Sequence, residues 1–185
     1  SQTMADQGRR LVVDIGGGTT EVGVVSLGGL VYADSIRIAG DRIDEVITNH
    51  IRAKHGLLIG DATAEDIKKK IASAHESTDV GEMKIRGRSV YDGLPREVTV
   101  TSAEIRVALH DSLESTPPEL AADLIDSGVV LTGGGALLHG LCALIEDATK
   151  LKVSIADEPL LCVAKGCGMA LDYLSSNKIY LSRIK

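Results

Sequence analysis

A short stretch of the chain, Asp14-Ile15-Gly16-Gly17-Gly18-Thr19-Thr20-Glu21, carries residue types that could hold a phosphate group and a metal ion. Its three glycines can adopt positive φ and leave backbone N–H groups open to an anion, because no side chain blocks the approach. Thr19 and Thr20 add hydroxyl donors. Asp14 supplies a hard carboxylate for Mg²⁺, bound through water because this ion keeps much of its hydration shell. The stretch therefore predicts a turn that binds phosphate and metal together.

The elements around this stretch predict a β-hairpin turn. Apolar residues 11–13 lead into it, and residues 22–25 continue as a second strand. A dinucleotide-binding loop would open a helix instead, and a Walker-type loop would need Gly-Lys-Ser or Gly-Lys-Thr, which does not occur here. The alternative interpretation is a tight hairpin whose glycines satisfy only backbone geometry.

A second glycine cluster lies in the later part of the chain. Residues 128–132 are apolar and end in Gly133-Gly134-Gly135, after which the pattern becomes helical. Exposed amides at such a strand-to-helix junction can contact a nucleotide. Taken alone, the cluster is equally compatible with a turn that needs glycine for geometry. The presence of two glycine triplets, each after an apolar strand, favours a binding role.

The composition describes a globular chain of ordinary size. With 185 residues it can bury one core, or two small subdomains that share one. Its formal net charge is −6, and it has four tyrosines but no phenylalanine or tryptophan. Because nucleic-acid binding needs a basic surface and is helped by aromatic stacking, we expect no nucleic acid among its partners.

The cysteines and the first residues indicate the compartment. Cys142, Cys162 and Cys167 make an odd count without the spacing of metal ligands, which predicts a reducing cytoplasm and small buried hydrophobic side chains. Residues 1–10 are polar and lack an apolar core, so we expect neither a signal peptide nor a membrane anchor there. These ten residues are predicted to be a tail that is disordered or was added for expression.

Local patterns predict the remaining elements. Three strands span residues 11–38, and a helix follows with Asp41 as its N-cap and Gly56 as its end. Thr63 begins a second helix through a capping box. Alternating residues over 83–100 predict a peripheral hairpin.

Helices and strands alternate in the later part of the chain. One predicted helix begins at residue 101, and three others span residues 119–125, 136–148 and 159–174. A strand is predicted over residues 152–155. The last helix is predicted to pack on a sheet through the side chains of Leu160, Val163, Ala164, Cys167 and Leu171. A three-strand meander followed by this alternation predicts an α/β fold with a mixed sheet, antiparallel hairpins and flanking helices.

The same pattern suggests a domain organisation. We expect a core subdomain formed by residues 11–60 and 101–174, interrupted by a small inserted α+β subdomain of residues 61–100. Residues 1–10 and 175–185 are predicted to be tails.

Several segments in this order resemble the MreB family of bacterial actins. They are the two glycine motifs and, between them, Ile38-Ala-Gly-Asp41, Thr63-Ala-Glu-Asp-Ile-Lys68, Gly93-Leu-Pro95 and Thr116-Pro-Pro-Glu-Leu-Ala121. The chain looks like the C-terminal half of such a protein, over roughly residues 11–174. The resemblance implies an actin-like, ribonuclease H-like ATPase domain that binds ATP or ADP with Mg²⁺.

The resemblance also implies roles for individual residues. Asp14 would act on Mg²⁺ and residues 16–20 would form the second phosphate loop. Gly133, Gly134, Gly135 and Ala136 would form the adenosine loop, and Glu65 and Lys68 would flank the ribose or adenine. Glu21 lies where eukaryotic actin has a histidine near the attacking water, and the resemblance supports no catalytic role for it. The catalytic residue is therefore not identified.

For the parent protein, the resemblance implies cytoskeletal filaments at the inner face of the cytoplasmic membrane. Its partners would be further copies of itself and the cell-wall elongation machinery, which sets rod shape. The family's first half, which contributes the first phosphate loop, the catalytic acid and the membrane contact, has no counterpart before Leu11. The family also has a longer helix between the positions of Leu109 and Thr116, and about three turns of that helix have no counterpart in this chain. We therefore expect the full-length parent to be an ATPase and this half alone to be poorly active.

Two other functions remain open at this point. The same phosphate hairpin occurs in sugar kinases and chaperone-type ATPases of the actin superfamily. The second alternative function is a non-catalytic filament-interaction module, which would use the hairpin over residues 83–100.

Overall fold

The computed structural model describes residues 10–26, 29–113 and 128–176. Eight strands lie in this part of the chain: β1 (Arg10–Ile15), β2 (Thr20–Ser26), β3 (Gly29–Ile36), β4 (Leu57–Leu58), β5 (Glu82–Ser89), β6 (Pro95–Thr101), β7 (Val129–Thr132) and β8 (Val153–Ile155). The α-helices are α1 (Gly40–His55), α2 (Asp61–Lys70), α3 (Ser102–Leu113), α4 (Leu141–Thr149) and α5 (Cys162–Ser176). Two 3₁₀ turns, Gly134–Leu137 and Pro159–Leu161, precede α4 and α5.

The larger sheet is mixed, as the sequence predicts. Its strand order is β3-β2-β1-β7-β8, with antiparallel pairing among the first three strands and parallel pairing of β1 with β7 and of β7 with β8. The register places Asp14 of β1 between Glu21 of β2 and Thr132 of β7. Because β1 and β7 are parallel, their carboxyl ends meet at one edge of the sheet. Both glycine clusters begin at that edge.

The buried side chains form two clusters. The first joins α1, α2 and α3 to the antiparallel sheet β4-β5-β6, and includes Ile47, Ile51, Ile67, Val100 and Ile105. The second joins β7, β8 and Ala136, and packs against Leu11 and Val13 of β1. The proposed division at residues 61–100 stays a prediction, and the buried side chains of that segment share their core with α1 and α3.

Two helix starts differ from the sequence-based expectation. The N-cap of α1 is Ala39 rather than Asp41, and that of α2 is Gly60 rather than Thr63; neither has a side-chain cap. In α1 the first amides are instead satisfied by carbonyl groups of a distant loop, so no local capping side chain is needed. The end of α1 at Gly56, with φ 59, agrees with the prediction.

The helix expected over residues 136–148 is interrupted. The 3₁₀ turn ends at Leu137, and α4 begins only at Leu141, after Gly140 with φ 73. A Cβ on Gly140 would lie 2.9 Å from the His75 amide nitrogen. The chain therefore bends here to pack against the segment after α2, a long-range contact that helical periodicity does not report.

The packing expected for the last helix is wrong. Leu160, Val163, Cys167 and Leu171 are exposed, and nothing lies within 4 Å of a Cβ added at Gly166 or Gly168. An apolar stripe predicts that a helix has a partner, but the stripe does not identify the partner. A membrane-spanning segment would need about 20 consecutive apolar residues. None of the helices in the described part of the chain combines that length with that hydrophobicity.

Some predictions fall on residues whose structure is not described. These are the tail at residues 1–9, the helix at 119–125, the turns missing before Thr116, and the end of the chain after residue 176. The first strand begins at Arg10, one residue earlier than expected.

Candidate functional site

The first glycine loop, residues 16–19, connects β1 to β2. Its turn is closed by the Gly16 amide, which donates to the Thr19 carbonyl at 2.9 Å. None of the three glycines has a positive φ, so the expected left-handed conformation is wrong. Space is tight for a side chain at two of these positions: a Cβ at Gly16 would lie 3.2 Å from the Thr19 oxygen, and one at Gly17 would lie 3.3 Å from Asp41 Oδ1.

This loop also holds the start of α1. The Gly40 amide donates to the Gly16 carbonyl at 3.1 Å, and the Asp41 amide donates to the Gly17 carbonyl at 2.8 Å. Among the described residues, the amides of Gly17 and Gly18 donate to no backbone carbonyl, and both residues are exposed. These two N–H groups are therefore available to an anion such as a phosphate.

Carboxylates lie beside these amides. Asp14 is the next-to-last residue of β1, Glu21 is its partner on β2, and Asp41 Oδ1 lies against Gly17. Since carboxylate and phosphate repel each other, binding of a phosphate here favours a cation between them. No three acidic, histidine or cysteine side chains of the described residues converge on one point. The donor set therefore fits an Mg²⁺ that keeps most of its water ligands better than a cation in a protein cage.

The second glycine loop, residues 133–135, lies directly against the end of β1. Gly133 has φ 80, and a Cβ added to it would lie 2.5 Å from Asp14 Oδ1 and closer still to the Ile15 carbonyl oxygen. A Cβ on Gly135 would overlap the Ile15 side chain. The second glycine loop thus lies against the last two residues of β1, which lead directly into the first glycine loop, although the two loops are more than 110 residues apart in the sequence.

Four other predicted site residues differ in their surroundings. The Thr20 hydroxyl donates to the Ile38 carbonyl at 2.6 Å, so it secures the segment before α1. Ala136 is fully buried in the core cluster with β7 and β8, so none of its atoms is exposed to a ligand in this structure. Thr19 is exposed at the loop tip and Glu21 is exposed beside it.

Lys68 reaches the first glycine loop through α1. Its Nζ lies 2.6 Å from Asp44 Oδ2 and donates to the Gly40 carbonyl at 3.2 Å, while the Gly40 amide contacts the loop. Glu65, one turn earlier on α2, is exposed and pairs with Lys69 at 2.6 Å. The hydrogen bond and charge of Lys69 hold the pKa of the Glu65 carboxyl below its ordinary value.

Replacement of Lys68 by methionine should destabilise the protein by about 2 kcal/mol, because the Asp44 carboxylate would lose its cation in a partly buried site. The two side chains are only 18% and 21% exposed. The matched control is Lys69→Met, which breaks an exposed pair on the same helix and should cost less than about 0.5 kcal/mol. Urea unfolding measures both. Equal losses would show that Lys68 is an ordinary surface lysine.

Three residues near this site are not among the binding residues that the sequence predicts. Asp41 is predicted only as a helix cap, and Asp44 and Pro159 have no predicted role in the site. Asp44 binds Lys68, and the Pro159 carbonyl accepts the Gly133 amide at 3.0 Å. Asp41 and Asp44 lie one turn apart at the start of a helix, a signal that could have indicated a functional role. Nothing local identified Pro159.

Comparison with known proteins assigns the family. The model of the MreB/Mbl protein family matches residues 3–179. The chain belongs to the MreB/Mbl family. It is 50% identical over 175 residues to the cell shape-determining protein MreB of Escherichia coli strain K12, covering 89% of this chain and 50% of that protein. It is 49% identical over 173 residues to the cell shape-determining protein Mbl of Bacillus subtilis strain 168, covering 88% and 52%.

A solved structure of the family has the same fold. MreB5 of Spiroplasma citri bound to AMPPNP superimposes with a TM-score of 0.83 at 35% identity, covering 95% of this chain and 56% of that one. The actin-like fold is therefore confirmed, and the sugar-kinase and chaperone alternatives are not favoured. This MreB/Mbl-family chain spans about half the length of the relatives it matches.

Proposed function

We propose that this chain binds ATP and ADP with Mg²⁺ as the nucleotide-binding half of an MreB-type filament protein. The observation that carries the proposal is the contact of the second glycine loop with Asp14 and Ile15, the two residues that precede the first glycine loop. In the described part of the chain, the amides of Gly17 and Gly18 have no backbone partner, and the second loop follows the parallel strand β7 beside β1. Solved structures of MreB5 from Spiroplasma citri contain AMPPNP or ADP, which agrees with a nucleotide as the ligand.

Each part of the site would have a separate task. The amides of Gly17 and Gly18 would donate to phosphate oxygens, and Asp14 would hold Mg²⁺ through its water shell. Gly133, Gly134 and Gly135 would contact the nucleoside through their backbone, with the buried Ala136 packed in the core beneath them. Lys68 and Glu65 would flank the ribose or adenine, although Lys68 would have to exchange part of its contact with Asp44. When bound, Mg²⁺ would neutralise phosphate charge beside Asp14 and Asp41.

ATP hydrolysis would need more than this chain. Acceleration of phosphoryl transfer depends on positioning water and phosphate between preorganised groups. The loops described here form one side of such a site, and no residue is assigned as catalytic. We therefore expect weak ATP binding and little turnover by the 185-residue chain, with both rising when the family's N-terminal half is added as a separate polypeptide. Tight binding and full turnover without that half would contradict the two-sided site.

Removal of the Asp14 charge should change ATP affinity in opposite directions with and without Mg²⁺. Replacement of Asp14 by asparagine should weaken Mg²⁺-ATP binding about fivefold, because one charge facing the hydrated cation is lost. With EDTA present, the same variant should bind ATP as well as or better than the parent, because a carboxylate–phosphate repulsion is removed. Chemical-shift titration by NMR can measure such weak binding.

The control for this titration is Asp66→Asn, which removes one carboxylate from the exposed face of α2, where it pairs with Lys70. It should leave both affinities unchanged. If the parent chain does not bind Mg²⁺-ATP, the proposal fails. If Asp14→Asn weakens ATP binding equally with and without the metal, Asp14 has no role in holding Mg²⁺.

In the cell, we propose that the parent protein self-associates into filaments that serve cell shape. The related MreB and Mbl proteins carry the description cell shape-determining. Contact with the cell-wall elongation machinery, a cytoplasmic location and attachment to the inner face of the membrane through the N-terminal half belong to the same proposal. Sedimentation with Mg²⁺-ATP, after adding that half, would test the assembly.

A further inference from the structure

The second glycine loop contacts two separate segments of the chain. On one side Gly133 rests against Asp14 and Ile15 of β1, so closely that no side chain fits there. On the other side its amide donates to the Pro159 carbonyl at 3.0 Å. The position of this loop therefore depends on the 3₁₀ turn Pro159–Leu161, which follows β8, as well as on the sheet.

The Pro159 carbonyl receives a second hydrogen bond. The hydroxyl of Thr132, the last residue of β7, donates to it at 3.0 Å. Thr132 is only 6% exposed, so water competes little for this bond. One carbonyl oxygen thus joins the end of β7 and the first glycine of the loop.

The backbone before Pro159 is in an unusual conformation. Glu158 has φ 48 and ψ 62, although a residue before proline favours extended backbone and a non-glycine residue rarely adopts the left-handed region. Such conformations persist only where the surroundings hold them. Here the Glu158 side chain pairs with Lys165 of α5, and its carbonyl accepts the Leu161 amide at 2.8 Å. These contacts aim the Pro159 carbonyl at Thr132 and Gly133.

We propose that Thr132 is a positioning residue that acts through the Pro159 carbonyl to hold the second glycine loop in place for the nucleoside part of the nucleotide. The inference rests on the proposed function. It separates two halves of the site: the first glycine loop and Asp14 bind phosphate and metal without Thr132, whereas contact with the nucleoside depends on it. A merely structural threonine would affect both halves alike.

Two ligands distinguish these possibilities on the intact chain. Mg²⁺-ATP uses both halves of the site, and Mg²⁺-tripolyphosphate uses only the phosphate half. Replacement of Thr132 by valine, which keeps the shape and removes the donor, should weaken Mg²⁺-ATP about fivefold, the effect of one hydrogen bond. Tripolyphosphate binding should not change. Thr132→Ser keeps the hydroxyl and should restore ATP affinity.

The matched control is Thr149→Val, which removes a 2.7 Å hydroxyl bond to the Ile145 carbonyl within α4. It should change neither affinity. Hydrogen exchange supplies a second readout: the Gly133 amide should exchange faster in Thr132→Val and at the parent rate in Thr132→Ser, under conditions where all variants are folded.

The outcomes separate this inference from the proposed function. If the parent chain binds Mg²⁺-ATP and Thr132→Val binds it equally well, the positioning role is wrong and nucleotide binding stands. An equal loss for ATP and tripolyphosphate also overturns the role, since the effect would be a general loss of structure. If the parent binds neither ligand, the proposed function fails, and the inference fails with it.

Discussion

Replacement of Gly133 by alanine should destabilise the protein by about 3 kcal/mol or more and abolish Mg²⁺-ATP binding. The residue has φ 80, where a side chain is strained, and the new Cβ would lie 2.5 Å from Asp14 Oδ1 and closer to the Ile15 oxygen. The strain accounts for roughly 1 kcal/mol, and forcing the backbone of β1 away from the loop adds about 1–3 kcal/mol. Urea unfolding measures the first effect and nucleotide titration the second.

Gly93 offers a matched control for this prediction. It has φ 72, close to that of Gly133, but nothing lies within 4 Å of a Cβ added there. Gly93→Ala should therefore show only the conformational cost of about 1 kcal/mol and leave nucleotide binding unchanged. If the two variants lose equal stability, the contact between the glycine loop and β1 is not as tight as the geometry indicates.

The second large effect is expected at Glu104, which joins α3 to α1. Its Oε1 accepts hydrogen bonds from His50 Nε2 at 2.9 Å and His55 Nε2 at 2.6 Å, and its Oε2 lies 3.2 Å from Lys54 Nζ. The Glu104 side chain is 9% exposed. Glu104→Ala should cost about 3 kcal/mol, because two partly buried histidines lose their acceptor in addition to the lost packing. Glu97→Gln, at an exposed cross-strand pair with Arg86, should cost less than about 1 kcal/mol.

The same carboxylate should make stability depend on pH. Burial of Glu104 opposes its ionisation, but the hydrogen bonds from His55, His50 and Lys54 outweigh burial and hold the pKa of Glu104 below its ordinary value of 4.5. A carboxyl with a lowered pKa stabilises the fold above 4.5, and this contribution is lost as the pH falls through the lowered value. In Glu104→Gln the side chain does not titrate. The free energy of unfolding of this variant should therefore fall less than that of the parent protein between about pH 5 and pH 3. Parallel curves for the two proteins would contradict this role.

Much of the fold was predictable because its signals are local. The hairpin pattern of residues 11–38, the apolar stripe of α1 and the glycine that ends it all depend on neighbours within a few residues. The mixed sheet followed from the order of these elements. The glycine clusters predicted a candidate site that involves Asp14, but Gly16, Gly17 and Gly18 do not adopt the expected positive φ, and space is tight only at Gly16 and Gly17.

Other features depend on residues far apart in the chain, and local patterns could not predict them. The first amides of α1 are capped by carbonyls of the first glycine loop, about 24 residues earlier. Gly140 bends the chain because it packs against His75, which follows α2 and is 65 residues earlier in the sequence. The exposed stripe of α5 shows the same limit, since its periodicity predicts a buried face whether or not a partner lies there.

For the candidate site, the sequence by itself determined which residue types are present and predicted their chemistry, and the tertiary structure decided which groups are available. Residue types and spacing identified an acid beside a glycine loop and a second glycine loop after a strand. Only the fold brought Gly133 against Asp14, tied Lys68 to Asp44 and placed Pro159 behind Gly133. The physical reason is that each buried donor or acceptor needs a hydrogen-bond partner in the folded chain. Here these partners lie far apart in the sequence, so no local pattern indicates which groups will pair and which will remain available to a ligand.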